Sequence, residues 1–119
     1  MFAVTPSPVS TLNGTWALDR VKSDFGAADA PRQFDVLLNQ AGNRLDITVF
    51  IADSNGERVI QREALPPRLV DGSVWLISDN GGEDWRVTGM GELLITRTVA
   101  VHSRMVRQRL VLSMATDLQ

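Results

Sequence analysis

From Leu12 onward, apolar and polar residues alternate with a period of two, not the 3.6 of a helix, in short runs broken by glycine, asparagine and aspartate clusters. Eight such runs can be counted. Leu12, Trp16 and Leu18 share one face of the first, opposite Thr15, Ala17 and Asp19, and Phe34, Val36 and Leu38 line the second. The third is the most regular: Leu45, Ile47, Val49 and Ile51 alternate with Asp46, Thr48, Phe50 and Ala52. In the fourth, over 57–65, Ile60 lies between Arg58 and Arg62, which predicts Val59, Gln61, Glu63 and Leu65 as the interior face. Trp75 pairs with Ile77 on the fifth run and Trp85 with Val87 on the sixth. The seventh, over 92–104, places Leu93, Ile95, Val99 and Val101 opposite Leu94, Thr96, Thr98, Ala100 and His102. The eighth sets Val106, Gln108, Leu110 and Leu112 against Arg107, Arg109 and Val111.

The connections "AGN", "DSNG", "NGG" and "GMG" offer the positive φ that tight hairpins need, so successive strands are expected to pair as antiparallel neighbours. Two joins are longer: "RVKSDFGAADAPR", with room for a turn of helix, and "PPRLVDG", a proline-stiffened corner. A meander with one apolar face must close on itself or pack on a second sheet. The expected fold is all-β, an eight-stranded antiparallel up-and-down barrel, with a flattened β-sandwich as the alternative. Residues 1–11 read as an extended arm and 12–119 as a single domain.

In "LNGTWALDRVKSDFG", over 12–26, Gly14 allows a close approach that a side chain would block, and Trp16 buries a large ring at the barrel end. Arg107 and Arg109 are candidates to lie over that ring. Asp19 and Ser23 are placed to accept from free backbone N–H groups in the following turn. A Gly-x-Trp on the first strand of such a meander resembles the lipocalin and wider calycin pattern. The order Gly14-Thr15-Trp16, Leu18-Asp19, Lys22-Ser23 and Phe25-Gly26 is similar to a group of small bacterial lipocalin-like proteins. That resemblance covers about the first fifth of the chain and implies a barrel plugged by the tryptophan; these proteins are commonly exported, and no activity comes with the group.

Composition narrows the function classes. Without cysteine there is no disulfide framework, thiol nucleophile or thiolate metal site. A formal charge of -2 gives no field to hold nucleic acid. No apolar run approaches the roughly 20 residues that span a bilayer. The chain reads as soluble, cytoplasmic as written, and periplasmic or secreted if a signal peptide was removed. His102 is the only histidine, which excludes multi-histidine metal sites, and its parity reads as surface. "SDNGGED" lacks the ligand spacing of an EF-hand and reads as a hairpin tip, so no metal or cofactor is expected.

The chemistry lies in polar residues on the inward parity. Arg97 interrupts Ile95 and Val99, Glu63 lies near Leu65, and Gln108 lies between Val106 and Leu110. A buried arginine needs partners, and Glu63 is the nearest by parity. Two readings follow: an ion pair filling the interior, or a ligand cavity walled by Trp16, Val36, Val49, Trp75 and Trp85 with Glu63, Arg97 and Gln108 as its polar groups. The expected function is binding of a small apolar or amphipathic molecule. The alternatives are a barrel enzyme of cyclase or isomerase type, assisted by Arg97 or Glu63, and an interaction domain with a filled interior. Outward Leu37, Phe50, Ile60, Leu94 and Val111 suggest a homodimer interface.

Overall fold

A computed structural model describes residues 12–26, 30–64, 66–79 and 82–115, so the arm over 1–11 lies outside the described residues. Among the described residues nine strands form one antiparallel sheet: β1 Gly14–Leu18, β2 Gln33–Ala41, β3 Arg44–Asp53, β4 Gly56–Ala64, β5 Arg68–Val70, β6 Ser73–Asp79, β7 Glu83–Val87, β8 Glu92–Val101 and β9 Arg104–Met114. Their order is β4-β3-β2-β1-β9-β8-β7-β6-β5, a curled half-barrel in which β4 and β5 are the two edges. Among the described residues no helix is long and apolar enough to cross a membrane.

Nine strands replace the expected eight because the join "PPRLVDG", expected as a corner, itself holds the short strand β5 after Pro66 and Pro67. Proline has no N–H to give a ladder, so pairing stops there. Eight antiparallel steps separate β4 from β5 in the sheet, so the two run in the same sense. The chain leaves β3 as β4, passes the prolines and joins β6 as β5, and a seam remains along the free edge of β4.

The sheet curls because most of its inner face is apolar and gathers into one core. Trp16, Phe34, Val36, Leu38, Leu45, Ile47 and Val49 from β1–β3 meet Val74, Leu76, Trp85, Leu93, Ile95, Leu110 and Leu112 from β6–β9 in one cluster. Each such side chain contributes about 1.5–3 kcal/mol on leaving water. Trp16 Nε1 donates to the Leu12 carbonyl at 3.0 Å, so the indole is buried without an orphaned donor. Gly14 sits at φ 142°, where an L side chain is strained, and a Cβ there would also press on Met114 Sδ at 2.9 Å. The arginines expected over Trp16 are elsewhere: Arg107 and Arg109 are exposed on the outer parity.

Asp19 accepts from the backbone N–H groups of Val21 and Lys22, as the turn chemistry predicts, whereas Ser23 Oγ accepts from Val111 N–H on β9 and not from the turn. These bonds lay residues 19–24 along β9, with Asp24 bridging Arg109. Leu94 and Val111 point to the outer parity yet are buried within the chain, so they cannot serve the homodimer surface assigned to them.

Candidate functional site

Register decides which polar side chains face inward, because residues opposite each other across a ladder share a face. On β3 and β4 the inward pairs are Ile47 with Arg62, Val49 with Ile60 and Ile51 with Arg58, while Asp46 faces Glu63 and Phe50 faces Val59 on the outside. The parity expected for β4 is therefore reversed. Glu63 stands on the outer face, its side chain 66% exposed, and meets Arg44 at 3.2 Å instead of Arg97. The barrel-enzyme alternative loses its carboxylate with this reversal.

Trp75 is also on the outer face. It pairs with Arg86, whose neighbour on β8 is the outward Leu94. A β-bulge between Trp75 and Ile77 adds one residue, so Leu76 and Ile77 both pack toward the core and the period-two link from Trp75 to Ile77 is broken. Trp16, Val36, Val49 and Trp85 do face inward, but as packed members of the core.

Open space lies at one end of the cup, where the β3–β4 and β8–β9 turns meet the connection from β1 to β2. This cleft measures about 600 Å³ and takes Phe34, Ile51, Arg58, Arg97, Val99 and Gln108 into its wall, with His102 at the rim. Trp16 sits toward the opposite end, opposite Met114, the last residue of β9. The cup is thus filled at one end and open at the other.

Arg97 and Gln108 are brought together. Arg97 Nε donates to Gln108 Oε1 at 3.0 Å, and Gln108 Nε2 donates to the Phe25 carbonyl at 3.1 Å. The guanidinium lies 5.3 Å from the centre of the Phe34 ring. Among the described residues no carboxylate is within ion-pairing distance of it. Burial pushes the Arg97 guanidinium below its ordinary value, against the pull of Glu83 and Asp53 upward. Arginine's intrinsic basicity keeps it charged. The nearby Arg58 is committed, since it grips both oxygens of Asp53 at 2.9 and 3.0 Å.

A second constellation spans the seam. Arg62 Nη1 on β4 donates to Glu83 Oε1 on β7 at 3.0 Å, and Glu83 Oε2 accepts from Trp85 Nε1 at 2.8 Å. The Arg62 guanidinium also lies 6.0 Å from the Trp85 ring centre. Sequence reading missed Arg62, Glu83 and Arg58. The arginines flanking Ile60 held the signal, and it was read as marking an outer face. His102 and Ser103 form the β8–β9 turn with φ of 51° and 65°, a conformation glycine or asparagine adopts more cheaply, and the histidine is exposed as expected. No group of three metal-ligating side chains occurs among the described residues.

No family model matches the chain, and no curated protein matches it. Among solved structures, the fold is similar to one described as "The Siderocalin Ex-FABP functions through dual ligand specificities". The TM-score is 0.56 at 13% identity, covering 91% of this chain and 76% of the other. At that identity the likeness is one of fold, and the fold of this chain is lipocalin-like.

Proposed function

We propose that the chain is a small-molecule carrier or sensor whose open end receives an amphipathic molecule with an anionic group. The observation that carries this is Arg97: a half-buried guanidinium over Phe34, with one side-chain acceptor and, among the described residues, no carboxylate within ion-pairing distance, in a cleft of about 600 Å³ whose Asp53 is already held by Arg58. The concavity is polar over much of its lining, with Phe25, Phe34, Ile51 and Val99 as its apolar wall, and that mixture suits an amphipathic ligand. Its apolar part would rest on Phe34, Ile51 and Val99 and its anion on the Nη donors of Arg97, which bind a carboxylate as a fork. The likeness to a siderocalin supports a binding role over a structural one. Among the described residues, the two carboxylates nearest the Arg97 cleft and the seam, Asp53 and Glu83, are each held by an arginine, which favours binding over acid–base chemistry there.

Native mass spectrometry of the purified chain tests the reading. A retained or added medium-chain carboxylate should appear on the wild type and be absent from Arg97→Leu, with unchanged circular dichroism. Equal retention by a folded Arg97→Leu would overturn it.

A further inference from the structure

We infer that the outer face of the β5–β6–β7 edge carries a second site, separate from the cleft, for a flat aromatic ring bearing a carboxylate or phosphate. Arg68 on β5, Trp75 on β6 and Arg86 on β7 are register partners in adjacent strands, so one row runs arginine, indole, arginine across the sheet. The Arg86 guanidinium lies 5.3 Å from the Trp75 ring centre. A depression of about 280 Å³ opens over this row, edged by Ser73, Ser78 and Asp71.

Three features make the row more than surface decoration. The bulge after Trp75 turns Leu76 and Ile77 to the core while leaving the indole outside, and bulges commonly re-aim a side chain at a site. Of the three tryptophans, Trp16 and Trp85 are 2% exposed, so the half-exposed Trp75 alone gives solutes a π face. Among the described residues neither Arg68 nor Arg86 has a side-chain hydrogen bond or a carboxylate within ion-pairing distance, whereas Arg44, Arg58 and Arg62 are each tied to one. An indole between two open guanidinium forks stacks a flat ring and pairs its anion. Asp71 also lines the depression, and its carboxylate disfavours a second negative charge beside it. Val74 and Leu76 pack on the inner face of the same strand, so a ligand here does not reach the cleft.

Tryptophan fluorescence reads the site directly, with naphthoate and naphthyl phosphate as probes and naphthalene as the neutral control. Saturable quenching by at least one of the two anions is expected, with affinity at least about tenfold weaker in Arg86→Gln and in Arg68→Gln. It should be unchanged in Arg97→Leu, and equilibrium dialysis should show binding lost in Trp75→Leu. The probe that saturates at lower concentration identifies carboxylate or phosphate as the preferred anion. Absence of saturation with both anions, equal binding of naphthalene, or loss of binding only in Arg97→Leu would overturn the site.

Discussion

Trp16 ties the packed end of the cup together, because its ring joins the cluster from both halves of the sheet while its N–H is spent on Leu12. Trp16→Ala should cost about 3–5 kcal/mol, read as a fall in the urea midpoint without a change in slope. Gly26 has a second strict requirement: at φ 66° its Cβ would overlap Val106, so Gly26→Ala should destabilise by about 1–3 kcal/mol in the same assay. At the cleft rim, the Arg58 guanidinium and the Asn55 N–H hold the Asp53 carboxyl below its usual value. A lowered folded value means a contribution to stability that is present above about pH 4, the unfolded range, and is lost as pH falls through the folded value. Asp53→Asn should therefore flatten part of the acid limb of a stability-against-pH curve. Both Trp16 and Gly14 were legible in the tripeptide Gly-Thr-Trp. The burden of Arg58 and Arg62 was not, because a side chain beside an open seam reaches water from either face and the alternation of β4 carries no sign.

At the level of elements, the runs that formed β2, β3, β8 and β9 were read with the right parity because Phe34, Val36 and Leu38, Leu45, Ile47, Val49 and Ile51, Leu93 and Ile95, and Leu110 and Leu112 anchor one face of each in the core. β4 and β6 were misread for two different physical reasons. The inner residues of β4 border the seam, and Ile60 is 41% exposed although it faces inward. In β6 a bulge shifts parity mid-strand, and a one-residue bulge leaves no mark on composition. The seam lies where the chain passes Pro66 and Pro67, which were recognised as a corner, while the strand β5 that follows them was not. Among the described residues the Arg62–Glu83 pair is the only side-chain ion pair between β4 and the β5–β7 half of the sheet. Arg62→Ala should loosen β4 locally: amide exchange across Gly56–Ala64 is expected to rise about five-fold, as for loss of about 1 kcal/mol from a half-exposed pair, with β2 unchanged. Uniform acceleration across the sheet, or none, would show that the pair does not hold the seam.

At the scale of the molecule, one sheet supplies a core at one end and a receptacle at the other. A single inner cluster shared by β1–β3 and β6–β9 predicts one cooperative transition, with fluorescence of the buried tryptophans and far-ultraviolet dichroism falling together. The division into filled and open ends was not legible in the sequence, because the same alternation lines a packed interior and a cavity. Arg97 and Gln108 were legible as inward polar residues, and their contact required the β8–β9 register that pairs them. Because Arg97 makes no ion pair and Gln108 keeps its bond to Phe25, Arg97→Leu should cost only the orphaned Gln108 Oε1, about 1–3 kcal/mol, and leave the chain folded. That separation of fold from binding permits the decisive measurement, an isothermal titration of dodecanoate and of dodecanol into wild type and Arg97→Leu. Dodecanoate should bind the wild type at one site and more tightly than dodecanol, and Arg97→Leu should lose that preference. Equal affinities for the two ligands in the wild type, or an undiminished preference in the variant, would contradict the assignment of the cleft to an anionic amphiphile.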